Sequence, residues 1–400
     1  MEKAIRRHRF ILHSDLNNFY ASVECMLNPK IKDTAVIIVG DEELRHGVVL
    51  AKNNIAKQLG VKTGDTVHEA QVKCFGTKLT KLKARLDLYQ KVSKQVQQIY
   101  LKHSDMVEMF GIDEAWIDIT PTAKDFIDAL NIAEHIRMEV KHELGLTVSI
   151  GVSYNKIFAK LGSDLKKPDA ITLITRGNFK DRIWPLEANT LLLVGKSTTK
   201  KLEKMNIKTI GDLALADVKM LEKIFGIIGR KLWNFANGLD SDPVKRYYDR
   251  NEVKSIGNSI TYPHDLTNIR EVSVELYNLA EQVSSRLRKQ KLFCNEIQLF
   301  VRNNQLQTMD RQCKLPYPTD TSKDIAENAL ELFKKTCSLT PPIRSLGIRL
   351  KDFSQNLQTS ILDESNISKQ EKIDTTIEII RKKYGENSIT RGHNLIDDYI

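Results

Sequence analysis

The chain has 400 residues, of which 41% are hydrophobic, and it carries a formal net charge of +10. This length suits two to four domains with hydrophobic cores, and the basic charge favours a polyanionic partner. Five isolated cysteines argue against a zinc or redox motif, and without a signal peptide or an apolar run of about 18 residues we expect a cytoplasmic monomer that binds no membrane.

The first part of the chain predicts alternating strands and helices, which is typical of an α/β or α+β fold. Residues 47–61 predict a strand that leads into a helix ending at Gly60. The other predicted strands are 9–15, 34–40, 105–110, 115–120 and 146–153, and the other predicted helices are 17–27, 87–103, 124–144 and 155–165.

The pattern changes after residue 185. Residues 186–240 predict short helices separated by glycines, and the polar residues 241–252 predict a linker. Strand and helix patterns alternate over residues 253–352, which favours a small independent α/β domain. The polar segment 354–370 is predicted to be flexible, and 371–385 is typical of a short helix.

Three carboxylates follow or precede predicted strands. Asp15 ends the first strand, and Asp113 with Glu114 lies in the connection of a predicted hairpin. If these strands are neighbours, the three acids converge and offer the hard oxygen ligands that Mg²⁺ prefers. The alternative is that each acid is a solvated residue at the end of its strand.

A second motif lies in "TLLLVGKSTTKKL", residues 190–202, where Gly195-Lys196-Ser197 resembles the end of a phosphate-binding P-loop. The motif requires its first glycine at residue 190, which is a threonine. The intervening residues 191–194 are three leucines and a valine, which favour burial over a phosphate-cradling turn. A P-loop NTPase is therefore a disfavoured alternative.

Three segments carry a resemblance to a known family. "DLNNFYASVE" (15–24), "GIDEAWIDIT" (111–120) and "VSIGVSYNKIFAKLGSDLKKP" (148–168) resemble the motifs of Y-family translesion DNA polymerases, in the same order and spacing. The likeness runs from Ile11 to Phe353 and is greatest to the bacterial DNA polymerase IV and V branch (ImpB/MucB/SamB-like).

The resemblance implies an α+β multidomain fold. Its parts are a palm with a mixed or antiparallel sheet, small fingers, a helical thumb with a helix-hairpin-helix and an α/β little finger domain. The implied boundaries are 1–18 and 76–177 for the palm, 19–75 for the fingers, 178–240 for the thumb, 241–252 for a linker, 253–352 for the little finger and 353–400 for a tail.

The resemblance also implies roles at the acidic site. Asp15 and Asp113 bind both Mg²⁺ ions, and Glu114 binds the catalytic ion beside the primer 3′-hydroxyl. The backbone carbonyl of Leu16 completes the coordination of the ion on the nucleotide side. Tyr20 is the steric gate that excludes a ribose 2′-hydroxyl, although by its local pattern alone it is a half-buried helix aromatic.

The implied dNTP-binding residues are Phe19, Tyr20, Asn54, Lys57 and Lys167. Asn54 and Lys57 stand where many relatives have Tyr and Arg, and lysine lacks the bidentate fork of arginine. Gly111 replaces a usual serine and could loosen the hairpin connection.

Two further regions are expected to hold DNA. In the thumb Gly195 is the second glycine of the helix-hairpin-helix turn, Leu193 replaces the first, and backbone amides with nearby lysines would bind a DNA phosphate. A solvated helix face is the alternative for these lysines. The implied DNA-binding residues are Gly195, Lys196, Lys200, Lys201, Arg286, Arg288 and Arg302.

The tail contains "QTSIL", residues 358–362, which resembles the peptides that bind bacterial sliding clamps. Gln358, Ile361 and Leu362 would make the contact, and a linker whose apolar residues pack on the protein itself is the alternative.

The sequence as a whole predicts a template-directed, low-fidelity DNA polymerase without proofreading that acts on primer-template DNA and dNTPs. A non-catalytic DNA-binding homologue is the rival, and the intact trio of acids argues against it.

Overall fold

The computed structural model describes residues 9–40, 47–249, 252–355, 364–385, 388–389 and 392. Contacts divide the chain into two units with the boundary after residue 250. The predicted clamp-binding residues Gln358, Ile361 and Leu362 lie outside the described residues. Among those described, no helix is long and apolar enough to cross a membrane.

The first unit contains a five-stranded sheet of order β5-β6-β1-β7-β8, a three-stranded sheet of order β3-β2-β4, and a helical part at its C-terminal end. Its elements in chain order are β1 (Ile11–Leu16), α1 (Phe19–Leu27), β2 (Ala35–Val39), β3 (Val49–Lys52), α2 (Asn54–Gln58), α3 (Val67–Lys73), β4 (Leu79–Lys83), α4 (Leu86–His103), β5 (Val107–Met109), β6 (Glu114–Asp118), α5 (Phe126–Leu144), β7 (Val148–Ser153), α6 (Lys156–Leu165), β8 (Ile171–Leu173), α7 (Phe179–Ile183), α8 (Lys196–Lys204), α9 (Ile210–Leu215), α10 (Val218–Phe225) and α11 (Ile227–Ala236).

The five-stranded sheet is covered on both faces, so every residue of its central strands β1 and β7 is buried. Leu12 and Leu16 belong to a core shared with α4 and α5, and Ile11 packs with Trp116 and Ala159 on the α6 side. Burial on both faces removes the period of two that a half-exposed strand shows, and this is why these strands appear as continuous apolar runs.

The three-stranded sheet shows what the sequence pattern missed. Neither α3 nor β4 was predicted, because the lysine-rich stretch 71–83 has little apolar periodicity. A local signal existed at the start of α3, where Thr66 and Glu69 form a capping box. The helix predicted to end at Gly60 ends two residues earlier, at Gln58.

The helical part contains α7 to α11 around a core that it shares with Ile157, Phe158 and Leu161 of α6. Gly229 is required there, since a Cβ at this position would lie 2.2 Å from the carbonyl oxygen of Leu221 in α10. The segment 241–249, predicted as part of a linker, has no regular structure but packs on the first unit. Val244 is fully buried beside Ile11.

The second unit is an antiparallel four-stranded sheet of order β11-β10-β12-β9 with two helices packed on one face. A third helix, α14, begins seven residues before the predicted start of 371. Its elements are β9 (Ile256–Leu266), α12 (Ile269–Lys289), β10 (Phe293–Asn303), β11 (Thr308–Thr319), α13 (Ser322–Thr336), β12 (Ile343–Ser354) and α14 (Glu364–Tyr384).

Candidate active site

Two neighbouring strands bring the three predicted carboxylates to one edge of the five-stranded sheet. Asp15 on β1 is the register partner of Glu114 on β6. The amide of Leu16 donates to the carbonyl oxygen of Asp113 at 3.0 Å, and the hydroxyl of Ser93 in α4 donates to the carbonyl oxygen of Ile112. The hairpin connection is therefore held from both sides beside the end of β1.

Burial disfavours the ionised form of two of these carboxylates. Asp15 is 7% exposed, and burial raises its pKa to about 6 although Lys167, with its Nζ 2.8 Å from Asp15 Oδ2, opposes the shift. Burial and the neighbouring charge of Glu114 raise the pKa of Asp113. A cation placed between these carboxylates would relieve their repulsion.

Glu114 has two partners that the sequence analysis did not name. Its carboxylate accepts from Lys160 in α6, and His13 Nε2 lies 3.3 Å from its Oε2. Burial opposes ionisation of Glu114, but the hydrogen bonds and charges of His13 and Lys160 lower its pKa to about 2. His13 is itself fully buried, with Nδ1 2.8 Å from the hydroxyl of Ser163, and burial lowers its pKa.

The alternation of β1 could have identified His13, because residues two apart point to the same face of a strand. His13 and Asp15 therefore share the face that meets α6. The segment that begins at Lys156 could have identified Lys160 in the same way, since residues four apart lie on one face of a helix. Neither pattern reveals which acid the side chain meets.

Three lysines from α6 and the loop after it face three acids of the sheet. Lys156 bonds Glu108 of β5 at 2.7 Å, while Lys160 pairs with Glu114 and Lys167 with Asp15. Close approach of α6 makes this row of ion pairs possible.

That approach depends on glycine. A Cβ on Gly151 of β7 would lie 1.8 Å from the carbonyl oxygen of Ala159, and a Cβ on Gly162 of α6 would lie 3.0 Å from the Cα of Gly151. The backbones of α6 and β7 are therefore in direct contact. This close packing determines how far the lysines lie from the carboxylates of the sheet.

The donor set fits a divalent cation in its chemistry, although the lysines now compensate part of its charge. Within the described residues no group of three or more His, Cys, Asp or Glu side chains is already arranged to hold a metal ion. Asp15, Asp113 and Glu114 nevertheless offer carboxylate oxygens at one edge, and two of them have raised pKa values. A cation bound at this edge would compete with Lys160 and Lys167 for the carboxylate oxygens.

Four of the five predicted dNTP-binding residues lie on α1 and α2, and the fifth, Lys167, follows α6. Tyr20 is half-buried, and burial together with the charge of Asp113 raises its pKa. The amide of Asn18 donates to Asn54 Oδ1 at 2.8 Å, which joins α2 to the start of α1, and Lys57 is exposed.

Phe19 differs from the other predicted nucleotide ligands. Its side chain is 3% exposed and belongs to the main core, so only its backbone can face a ligand. Gly111 is not needed for the backbone conformation, and a Cβ there would meet only Asp113 Oδ1, at 3.4 Å. Glycine in place of serine therefore removes a side chain but does not change the backbone conformation of the connection.

The P-loop alternative finds no support in the segment before Gly195. Leu191 and Val194 are buried in the helical core, and Leu193 adopts a left-handed conformation with φ +74°. Gly195 is the N-cap of α8, and a Cβ on it would have nothing within 4 Å. The amides that begin α8 are therefore approachable from outside.

The lysines predicted to bind DNA phosphate surround this helix start. Lys196, Lys200 and Lys201 of α8 are all exposed. Lys201 Nζ lies 5.9 Å from the ring centre of Phe225. The arrangement agrees with a phosphate-binding face and equally with a solvated one.

In the second unit Arg288, predicted to bind DNA, makes several internal contacts. Its guanidinium donates to the carbonyl oxygen of Asp320 at 2.8 Å and pairs with Asp374 and Glu378 of α14. Only 14% of its side chain is exposed, so it anchors α14, and its contact with DNA stays a prediction. The ion-pair partners lie almost 90 residues away along the chain, so no local pattern could reveal them.

The other two predicted arginines have fewer internal contacts. Arg286 is exposed and donates to the carbonyl oxygen of Gly257 at 3.2 Å. Arg302 lies on β10, where it alternates with buried Val301 and is the register partner of Ser345. It therefore points to the face of the sheet opposite to the helices.

Comparison with known protein families gives consistent matches in three regions of the chain. Residues 14–164 match the impB/mucB/samB family, residues 253–361 match the C-terminal domain of that family, and residues 193–240 match the thumb domain of DNA polymerase-iota. The three matched regions together cover more than half of the chain.

Curated relatives are similar over nearly their full length. DNA polymerase IV of Acetivibrio thermocellus is 46% identical over 393 residues, which is 97% of this chain and 98% of the relative. DNA polymerase IV 1 of Bacillus subtilis is 35% identical, over 97% of this chain and 94% of the relative.

A solved structure has the same fold. The Y-family DNA polymerase chimera Dbh-Dpo4(243-245)-Dbh superposes with a TM-score of 0.78 at 22% identity, and the match covers 87% of this chain and 100% of the chimera. At this identity the likeness concerns the fold alone.

Proposed function

The chain belongs to the Y family of translesion DNA polymerases and is a DNA-directed DNA polymerase, and from that premise we propose that it extends primers across damaged template bases with the help of two divalent cations. The observation that carries the proposal is the convergence of Asp15, Asp113 and Glu114 at one sheet edge. Hard carboxylate oxygens in this number suit Mg²⁺.

Each acid has its own part in the proposal. Asp15 and Asp113 would hold both ions, the carbonyl of Leu16 would add a ligand to the ion on the nucleotide side, and Glu114 would bind the catalytic ion beside the primer 3′-hydroxyl. The bound ions supply charge stabilisation for the transferred phosphoryl group and lower the pKa of the attacking hydroxyl. When the site is filled, His13 remains beside Glu114 and orients its carboxylate.

The chain itself binds the triphosphate with cations and the sugar with an aromatic ring. Lys167 already lies at the acidic edge, within 2.9 Å of Asp164 and 2.8 Å of Asp15, and it turns to phosphate oxygens when a nucleotide enters. Lys57 and Asn54 on α2 add a charge and a hydrogen bond. Tyr20 lies against the sugar and excludes a 2′-hydroxyl.

Residues of the helical part and of the second unit, rather than the acids, are assigned to hold the DNA. The open start of α8 with Lys196, Lys200 and Lys201 binds a backbone phosphate, and Arg286 and Arg302 contribute charge from the second unit. Such contacts do not depend on base sequence, which suits an enzyme that meets unpredictable lesions.

We also propose that residues 358–362 bind a sliding clamp. Two apolar side chains, Ile361 and Leu362, and the amide of Gln358 are the features that support it. The peptide is short, so we expect micromolar binding at about −8 kcal/mol. Weak binding allows the enzyme to give up the primer after the lesion.

The decisive experiment is primer extension on undamaged and abasic templates. We expect wild-type enzyme to extend both in Mg²⁺ and neither with excess chelator. Asp113→Ala and Glu114→Ala are expected to retain primer-template affinity and to lose at least about ninety per cent of the rate, because transition-state charge is left uncompensated.

Lys124→Ala is the control, since it removes an exposed charge of the first unit outside the proposed site. Extension by either acid variant at more than about a tenth of the wild-type rate would remove the acidic edge as the active site. Failure on the abasic template alone would leave a polymerase without lesion bypass.

A further inference from the structure

Three aromatic side chains meet beside the proposed nucleotide site. The ring of Tyr20 stacks on the ring of Tyr89 from α4, with centroids 4.3 Å apart and planes 13° from parallel. Phe19 packs on the same pair, 5.6 Å from Tyr20 and 6.3 Å from Tyr89. One face of the Tyr20 ring is therefore covered by another ring.

Tyr89 is held much more firmly than Tyr20. It is fully buried, whereas Tyr20 is only half-buried, and its hydroxyl donates to Glu24 Oε1 at 2.7 Å. Glu24 is 5% exposed, and its two oxygens accept from the guanidinium of Arg85, which precedes α4. The carboxylate of Glu24, itself held by Arg85, therefore fixes the plane of the Tyr89 ring.

The position of Tyr20 matters because steric exclusion depends on where the ring edge lies relative to the sugar. The torsion about the bond to an aromatic ring is broad, so a half-exposed tyrosine does not by itself keep one plane. A parallel neighbour on one face narrows that freedom, and an aromatic pair of this kind contributes beyond the area that it buries. Tyr89 supplies that neighbour from a different element.

We propose that Tyr89, oriented by Glu24, is a positioning residue for sugar selection: it sets the plane of the Tyr20 ring against which a ribonucleotide clashes. The proposal rests on the proposed role of Tyr20 as the steric gate. Neither Tyr89 nor Glu24 contacts the nucleotide in this arrangement. Glu24 and Tyr89 lie on α1 and α4, so the gate is coupled to the packing of these two helices.

The test is the ratio of kcat/KM for a dNTP to that for the matching rNTP. Tyr89→Leu is expected to lower this ratio about three- to tenfold. This factor corresponds to the free energy that one stacked aromatic pair contributes to holding the Tyr20 ring in place. The change should come from a gain in rNTP use, with kcat for the dNTP nearly retained. Tyr89→Phe retains the ring and is expected to restore most of the ratio.

Two further variants separate the possible outcomes. Glu24→Gln keeps the size of the side chain and is expected to lower the ratio by a smaller factor than Tyr89→Leu. It tests the positioning role if Tyr89→Leu does not fold. Tyr154→Leu removes a buried tyrosine from a different core and should leave the ratio unchanged.

Each contrary result has a distinct meaning. An unchanged ratio in Tyr20→Ala would refute the gate itself. A lower ratio in Tyr20→Ala with an unchanged ratio in Tyr89→Leu and Glu24→Gln would refute the positioning role alone. Equal losses for dNTP and rNTP in Tyr89→Leu would assign Tyr89 to stability only and overturn the proposal.

Discussion

At the scale of single residues, lysine side chains neutralise part of the negative charge of the acidic edge. Lys167 contacts both Asp15 and Asp164. Burial opposes its protonation, but these two carboxylates raise its pKa, so the side chain stays charged. A flexible ammonium group can exchange a carboxylate for a phosphate at little cost, because it makes no bidentate contact that must be broken.

Lys167→Met is expected to raise KM for the incoming dNTP about tenfold and to lower kcat less, because a point charge on the triphosphate mainly stabilises binding. Steady-state single-nucleotide insertion measures both constants. Lys166→Met is the matched control, since Lys166 is exposed and adjacent in sequence. An equal rise of KM in both variants would mean that only the overall charge matters.

At the scale of elements, the packing of α6 on β7 determines where the lysines stand. Helices usually pack on a sheet through side chains, but here Gly151 and Gly162 let the backbones meet. Three acid–lysine pairs and the His13–Ser163 contact connect α6 and the loop after it to the neighbouring strands β1, β5 and β6 of the same sheet. Stability and site geometry therefore depend on the same two glycines.

Gly151→Ala is expected to destabilise the first unit by about 3 kcal/mol, because the new Cβ requires the helix to move away from the sheet. Urea unfolding with a probe of the first unit measures the loss. Gly177→Ala is the control, since its Cβ would have only one neighbour, at 3.8 Å. If both substitutions cost the same, backbone contact between α6 and β7 is not what limits this packing.

At the scale of the whole molecule, the net charge of +10 has to be divided between charges that serve the fold and charges that serve DNA. Arg288 and the lysines of α6 are engaged in internal ion pairs. The exposed lysines of α8 are candidates for binding DNA. Counting basic residues therefore overestimates the number that contact phosphate.

Replacing Lys196, Lys200 and Lys201 together by Gln is expected to reduce the slope of log affinity against log salt by up to about 2.7, since each phosphate that a lysine neutralises adds about 0.9 to the slope. Fluorescence anisotropy with a primer-template at several salt concentrations gives the slope. The control replaces the exposed Lys32, Lys78 and Lys124, so the net charge is matched. Equal slopes for the two triple variants would support the solvated helix face.

The sequence alone was sufficient for the features that depend on local pattern. The helix at 155–165 was predicted within one residue of its observed bounds, because helical periodicity is a property of neighbouring residues. The hairpin that carries Asp113 was predicted with strand ends up to two residues from the observed ones, and Glu114 begins β6 instead of lying in the connection. The family followed from three short motifs, whose residue types and spacing need no coordinates. Where the pattern was weak, as at α3 and β8, the elements were missed.

Only the tertiary structure decided which side chains meet. The pairing of His13 and Lys160 with Glu114, the stack of Tyr89 on Tyr20 and the capture of Arg288 by α14 all join residues far apart in the chain. Periodicity assigns a residue to a face, but the partner on that face depends on strand register and on how closely elements approach. Those are set by packing of the whole core, which no local stretch of sequence contains.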